Sequence, residues 1–182
     1  MRLETVPALT RPDLLAAPTL AAITALAERE PSAGARVQVA EIDPGLADPA
    51  ALIDAYDLDP RDSANCVLVV GKRGGEERFA ACVVRPTTRA DVNTVVRRVL
   101  DTRKATFLPL ERAVELSGME YGGITPIGLS AEFRVLVDAD VLDDPTPLVV
   151  GSGVRRSKIL VPGRDLAAFG GVAVEGLGMP VG

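Results

Sequence analysis

The chain has 182 residues, of which 47% are hydrophobic, 25% are charged and only 3% are aromatic. This length and apolar content predict one globular domain whose core is built from Val, Leu, Ile and Ala. The net charge of −5 argues against a general nucleic-acid binder, and the absence of histidine excludes Ser–His and Cys–His nucleophiles together with the commonest zinc ligand.

The sequence also indicates where the protein is located and whether its cysteines form disulfides. No run approaches 18 uncharged apolar residues, and the first residues lack the basic-then-apolar pattern of a signal peptide, so we expect a cytoplasmic protein. Two cysteines, Cys66 and Cys82, are too few for a disulfide framework. They fall in adjacent predicted strands, where we expect two buried free thiols.

The first third of the chain mixes helices with one strand. Apolar positions at helical spacing predict a helix over residues 12–29, which Pro18 is expected to break into two pieces. A strand is predicted over residues 36–42. The following helix is predicted over residues 49–56, with Asp48 as its N-cap.

The middle of the chain predicts a hairpin followed by a helix. Two apolar runs, residues 66–70 and 79–84, are joined by the glycine-rich segment 71–78, which is typical of two buried antiparallel strands. Thr88 is the predicted cap of the next helix. Its apolar stripe runs through residues 92–100 at helical spacing.

The remaining elements are short. We predict strands over residues 104–108, 134–137, 148–150, 157–161 and 172–174, and helices over residues 110–117 and 164–169. The pattern predicts a mixed α/β (α+β) fold, a single domain with a largely antiparallel, partly barrel-like central sheet flanked by helices. Within it, we expect residues 1–34 to be an N-terminal helical extension, residues 35–174 the main domain and residues 175–182 a tail.

The most informative segment is MEYGGITPIGL, residues 119–129, which suits neither a helix nor an ordinary strand. Gly122, Gly123 and Gly128 allow unusual backbone angles and close approach of another molecule to the main chain. Pro126 fixes its own φ and biases the preceding residue toward extended geometry. The segment is therefore either a stiff loop that binds a small polar group or a tight turn between two core elements.

A second glycine-rich segment, GSGVRRSK at residues 151–158, adds basic side chains. The charge is unevenly distributed, since residues 1–62 carry 11 acidic and 5 basic side chains and residues 63–182 carry 14 and 15. A local basic cluster on an acidic protein can still contact phosphates, with few contacts and a salt-sensitive affinity. The alternative is a solvated surface.

Residues 119–129 resemble the GG-[VI]-[ST]-P-x-G signature of YbaK/EbsC-type aminoacyl-tRNA deacylases, a superfamily that includes the editing domain of bacterial prolyl-tRNA synthetases. The similarity runs from about residue 35 to residue 173. It implies that the chain hydrolyses the ester of a mischarged tRNA carrying a small amino acid, in a pocket beside the glycine loop. It implies no metal and no cofactor.

The resemblance also implies roles for individual residues. Backbone groups of Gly122 and Gly123 would be catalytic, with Lys104 as the accompanying cation. The aminoacyl group would be bound by Asn65, Cys66, Ile124, Thr125, Pro126, Gly151, Ser152 and Gly153. Arg155, Arg156 and Lys158 would contact the phosphates of the tRNA acceptor end.

One position departs from the family pattern. The family carries an essential lysine in the first hairpin strand, in a pattern like V-[FY]-K-[TS]-L, and this chain has Cys66 there. One interpretation is that another lysine, Lys104 or Lys72, takes the role of the family lysine. Cys66 can itself be a nucleophile, although a thiol needs a base or a cation nearby to ionise. The third interpretation is a catalytically silent domain that binds tRNA, a synthetase or an aminoacyl group.

Overall fold

The computed structural model describes residues 3–181. Its strands are β1 Thr5–Pro7, β2 Gln38–Glu41, β3 Asn65–Arg73, β4 Glu76–Val84, β5 Thr88–Ala90, β6 Lys104–Phe107, β7 Phe133–Asp138, β8 Pro147–Gly151, β9 Ser157–Pro162, β10 Val172–Val174 and β11 Gly178–Pro180. Its α-helices are α1 Ala17–Arg29, α2 Pro31–Arg36, α3 Pro49–Tyr56, α4 Arg97–Val99, α5 Leu110–Ser117 and α6 Ala139–Leu142. Short 3₁₀ turns occupy Ala8–Thr10, Pro12–Leu14, Pro44–Leu46, Pro60–Asp62 and Gly163–Phe169.

The strands form two main sheets and one ribbon. The four-stranded sheet has the order β1-β2-β9-β8, the five-stranded sheet has the order β10-β7-β4-β3-β6, and β5 pairs with β11. All pairings are antiparallel except those of β7, which runs parallel to β4 and to β10. The predicted mixed α/β fold with mostly antiparallel strands is therefore confirmed. The single, partly barrel-like sheet is not found, because the described strands form open sheets.

The N-terminal segment is built into the fold. Strand β1 pairs with β2, and helix α1 places Ile23 and Leu26 in the main core. Pro18 lies in the first turn of α1, where its missing N–H leaves no helical hydrogen bond unmade. The predicted break therefore falls before the proline, between the 3₁₀ turn Pro12–Leu14 and α1.

The predicted hairpin of β3 and β4 is confirmed and is longer than its apolar runs. Cys66 pairs with Val83 and Val67 pairs with Cys82, so the two cysteines lie on opposite faces of the sheet. Cys66 packs against the main core, whereas Cys82 belongs to a second apolar cluster. Both thiols are free.

Two helix caps were predicted, and one is found as predicted. The carboxylate of Asp48 accepts a hydrogen bond from the Ala50 amide at the start of α3. The next helical segment is a π-helical stretch, Val92–Val96, that leads into α4, and its cap is Asp91, whose carboxylate accepts from the Thr94 amide. Thr88 lies in β5 instead, because that segment pairs with residues near the C-terminus.

The C-terminal residues are not a loose tail within the described chain. Gly178–Pro180 forms β11 on β5, and Leu177 is fully buried in the second apolar cluster. The amide of Asp91 donates to the Leu177 carbonyl, so this segment also holds the start of the following helix.

The longest described helix, α1, has 13 residues. No helix in residues 3–181 combines the length and the apolar character needed to cross a bilayer.

Candidate active site

A cleft of about 420 Å³ opens beside the glycine loop, which we define as residues 119–129. Its lining comes from the glycine loop, the C-terminal end of β8, the start of β9, the start of β3 and the N-terminal end of α3. The lining residues are Ala47, Asp48, Pro49, Leu52, Ser63, Ala64, Asn65, Cys66, Val67, Tyr121, Gly122, Ile124, Val149, Val150, Gly151, Arg155 and Lys158.

The glycine loop is held by backbone contacts with the segment after β8. The Gly123 amide donates to the Glu120 carbonyl at 2.9 Å, and the Gly153 amide donates to the Gly123 carbonyl at 2.7 Å. A Cβ on Gly123 would lie 2.6 Å from the backbone of Val154, and one on Gly151 would clash with the carbonyl oxygen of Gly123. Two glycine-rich segments far apart in sequence therefore pack main chain against main chain.

This packing leaves two backbone amides free beside the cleft. Gly122, at φ 81°, and Ile124 both line the cleft, and their amides have no protein acceptor among residues 3–181. Gly123 lies behind them, with both its amide and its carbonyl bonded to other backbone groups. Free amides of this kind can donate to an oxyanion that forms in the cleft.

Lys158 brings a buried amine to the cleft. The residue is only 7% exposed, and its Nζ donates to the Ala47 carbonyl at 2.9 Å and to the Gly122 carbonyl at 3.1 Å. Burial, and to a smaller extent the charge of Arg155, lower the pKa of Lys158 from 10.5 to about 8, and Asp48 offsets them only in part. Lys158 was expected at the tRNA phosphates; the structure places its amine inside the cleft.

Arg155 and Tyr121 stand at the mouth of the cleft. The guanidinium carbon of Arg155 lies 5.6 Å from the centre of the Tyr121 ring. Arg155 also donates to the Pro44 carbonyl at 2.9 Å and to the Tyr121 carbonyl at 3.4 Å, which ties the glycine loop to the turn before α3. The Tyr121 side of this pair is open, since the residue is 62% exposed.

The structure brings together most of the predicted site residues. Those that line the cleft are Asn65, Cys66, Gly122, Ile124, Gly151, Arg155 and Lys158. Thr125 and Ser152 are fully buried outside the lining, and Ser152 Oγ lies 2.7 Å from Ser157 Oγ. Pro126 and Gly153 are also outside the lining. These four residues therefore belong to the two glycine-rich segments without contacting the cleft themselves.

Three predicted cations lie elsewhere. Lys104 pairs in register with Lys72, seven positions along β3 from Asn65, which corresponds to roughly 23 Å at strand spacing. Neither Lys104 nor Lys72 lines the cleft. Arg156 turns toward the N-terminal segment, where its guanidinium lies 3.7 Å from Glu41 and 3.8 Å from Asp13.

The hypothesis of a cysteine nucleophile does not fit the site. Burial raises the pKa of the Cys66 thiol well above its ordinary value, and the neighbouring Cys82 raises it further. A thiol in this state stays protonated at neutral pH, so Cys66 contributes apolar surface to the cleft and no thiolate.

Several cleft residues were missed by sequence reasoning. The N-terminal end of α3, Ser63 and Tyr121 line the cleft, and only the tertiary fold brings them there. Lys158 carried a readable signal, since a lysine in the apolar run of a predicted buried strand needs partners of its own. Among residues 3–181, no group of three or more Cys, Asp or Glu side chains is placed to hold a metal ion.

Comparison with solved structures shows the same fold in several proteins. Hypothetical protein APE2540 matches with a TM-score of 0.71 and 17% identity, covering 85% of this chain and 99% of its own. A "putative trans-editing enzyme for prolyl tRNA synthetase" matches with a TM-score of 0.71 and 19% identity, covering 92% and 99%. A scaffold protein used for computational epitope grafting matches with a TM-score of 0.68 and 18% identity, covering 91% and 99%.

No curated protein matches the sequence. The model of the aminoacyl-tRNA editing domain family matches residues 43–169, which include α3, the β3–β4 hairpin, the glycine loop and the segment that carries Lys158. This match spans more than half of the chain and contains most of the cleft. The chain therefore belongs to the aminoacyl-tRNA editing domain family.

Proposed function

We propose that this protein is a trans-acting deacylase that hydrolyses the ester of a mischarged tRNA carrying a small amino acid. The observation that carries the proposal is the cleft beside the glycine loop, which is lined by the buried Lys158 and by Gly122 and Ile124, whose amides have no acceptor among residues 3–181. Membership of the editing family supports the reaction class and an aminoacyl-tRNA as the substrate.

Ester hydrolysis needs donors for the developing oxyanion, a positioned water and a cradle for the amino acid. The amides of Gly122 and Ile124 supply the donors. Asn65, at the edge of the same cleft, offers an amide side chain that can hold the substrate amine or the water. Backbone donors of this kind need no histidine, which agrees with the composition.

The cleft walls favour a small amino acid. The apolar lining of the cleft includes Leu52, Ala64 and Val149, all of which are buried. A volume of about 420 Å³ must hold both the aminoacyl group and the ribose to which it is esterified. This leaves limited room for an amino acid side chain.

The acceptor end of tRNA approaches the cleft at its mouth in this proposal. The exposed Tyr121 ring offers a stacking surface to the terminal base, and Arg155 offers a cation to the phosphates. Both residues flank the free amides of the glycine loop, so binding the tRNA end places the ester beside them.

A panel of mischarged tRNAs tests the proposal. Purified protein is incubated with tRNA charged with Ala, Ser, Thr, Cys, Pro or Phe, and the remaining aminoacyl ester is measured over time against buffer alone. We expect loss of at least one small amino acid well above the buffer rate and no effect on the Phe ester. No loss above buffer for any member of the panel would refute the proposal.

The replacement of the family lysine by Cys66 favours a second candidate, a catalytically silent domain that binds tRNA, a synthetase or an aminoacyl group. Binding of a non-hydrolysable aminoacyl-adenosine separates the two. Tight binding of this analogue without turnover of any ester in the panel would support the silent domain.

A further inference from the structure

Resting on the proposed deacylase activity, we propose that Lys158 is the general base of the reaction and takes a proton from the attacking water as a neutral amine. Lys158 follows the glycine–basic segment into β9, where it pairs in register with Gly151 of β8. Both residues line the cleft, so the amine enters beside the glycine loop.

The hydrogen bonds of Nζ leave one direction open. A tetrahedral nitrogen has four directions, and here Cε, the Ala47 carbonyl and the Gly122 carbonyl occupy three of them. No further acceptor for Nζ is found among residues 3–181. In the neutral amine both N–H groups are held by the two carbonyls, so the lone pair takes the remaining direction. The two carbonyls therefore orient the lone pair as well as anchor the side chain.

The surrounding charges favour the neutral form near physiological pH. The charged groups that act on Lys158 are Arg155 from the segment after β8 and Asp48 from the N-terminal end of α3, and the other titratable side chains in the cleft lining are Cys66 and Tyr121. Burial and Arg155 disfavour the ammonium, and Asp48 only partly offsets them, which gives a pKa of about 8. The ammonium group of a bound aminoacyl ester adds a further positive charge and favours the neutral lysine more strongly.

The proton transfers balance within one turnover. Water gives a proton to Nζ as its oxygen attacks the ester carbonyl carbon, and the oxyanion accepts from the amides of Gly122 and Ile124. The carbonyl re-forms as the bond to the ribose oxygen breaks, and the ammonium of Lys158 returns the proton to that oxygen. The products are the free amino acid and the ribose hydroxyl of tRNA.

Lys158 also accounts for the missing family lysine. The resemblance places a lysine at position 66 on β3, and in this chain Cys66 and Lys158 line the same cleft. The cleft thus keeps a lysine amine, which reaches it from β9 and no longer from β3.

Substitution of Lys158 by two residues separates a base from a simple cation. We expect both Lys158→Met and Lys158→Arg to lower kcat/KM at least about 100-fold on the best ester of the panel, since arginine keeps the charge but has no basic lone pair. The matched control is Lys72→Met, at an exposed hairpin position outside the cleft, and it should retain wild-type activity. Near wild-type activity of Lys158→Arg would overturn the role as base.

The pH dependence of the unmodified protein tests the same role without a substitution. We expect kcat/KM, corrected for the buffer rate, to rise with pH and level off above about pH 8, because the neutral amine is the active form. The chain has only three lysines, so ¹³C NMR of ε-labelled lysine can follow Lys158 directly. A rate that is constant or falls through the pH range in which Lys158 titrates would contradict the proposal.

These outcomes distinguish the inference from the proposed function. An inactive wild-type protein refutes the deacylase itself. An active wild-type protein whose Lys158 variants keep their activity leaves the deacylase standing and removes Lys158 as its base.

Discussion

At the scale of single residues, two buried serines near the cleft differ in their hydrogen bonds. Ser63 Oγ is buried and has no partner in the described part of the chain, whereas Ser152 Oγ bonds to Ser157 and to the Val154 carbonyl. A buried polar group without a partner costs free energy that a partnered group does not. The unpartnered hydroxyl lies in the lining of the cleft, where a bound polar group or water can reach it.

This difference predicts opposite effects of two alanine substitutions. We expect Ser63→Ala to raise the free energy of unfolding by about 1 kcal/mol or leave it unchanged, and Ser152→Ala to lower it by about 1–3 kcal/mol. Urea denaturation of the two variants and the wild-type protein measures both. Equal destabilisation by the two substitutions would show that Ser63 has a partner after all.

The pKa of Lys158 predicts a pH-dependent stability. The folded state holds this pKa at about 8, below the ordinary 10.5, so between these pH values the unfolded chain binds more protons. The free energy of unfolding of the wild-type protein should therefore rise across this window, by roughly 2–3 kcal/mol from this group. Lys158→Met should lack that increment when both proteins are denatured with urea at pH 7.5 and pH 10.5. Parallel pH profiles of the two proteins would contradict the lowered pKa.

Residue roles were predicted from the sequence only where the glycine motifs marked them. The cleft lining includes Gly122, Ile124 and Gly151 because the two glycine-rich segments that contain them pack backbone against backbone. The direction of Lys158 depends on which sheet β9 joins and on the turn before α3. These are tertiary contacts, so the sequence could mark Lys158 as a lysine in a buried strand but could not show which groups its amine meets.

At the scale of elements, the site depends on the contact between the glycine loop and the segment that follows β8. Local elements such as the β3–β4 hairpin and the Asp48-capped α3 were predictable, because neighbouring residues determine them. The division into two sheets and the β5–β11 ribbon were not. Gly178 pairs with Ala90 across most of the second half of the chain, and no local pattern specifies such a pairing.

Substitution of Gly123 tests the contact between the two segments. A Cβ there would meet the Val154 backbone at 2.6 Å, so we expect Gly123→Ala to lower the free energy of unfolding by at least about 2 kcal/mol. It should also displace the neighbouring amides and lower the deacylation rate. Gly74→Ala, at a hairpin turn with open space around it, is the control and carries only the backbone penalty of about 1 kcal/mol for its positive φ. Equal effects of the two substitutions on both stability and rate would contradict the packed loop.

At the scale of the whole molecule, charge limits how the protein meets tRNA. The net charge is −5, and the excess of acidic over basic side chains lies in residues 1–62. Affinity for the acceptor end must therefore come from few contacts near the cleft, among them the half-buried Arg155 and the exposed Tyr121.

This limit predicts that one arginine matters for tRNA. We expect Arg155→Gln to raise KM for the best mischarged tRNA several-fold and to reduce the salt dependence of kcat/KM, since one phosphate contact is lost. Arg89→Gln, on the β5–β11 ribbon and outside the cleft lining, is the control and should keep the wild-type KM. Steady-state kinetics at two salt concentrations measure both. An unchanged KM and salt dependence for Arg155→Gln would place the tRNA elsewhere.

The most direct test of the catalytic cleft is a crystal structure of the protein with 3′-(L-alanylamino)-3′-deoxyadenosine, in which an amide replaces the labile ester. Our account predicts the alanyl group inside the cleft, with its carbonyl oxygen about 3 Å from the amides of Gly122 and Ile124 and the amine of Lys158 on the attack side of the carbonyl carbon. The analogue bound at another surface, or bound in the cleft with its carbonyl turned away from the glycine loop, would contradict the account.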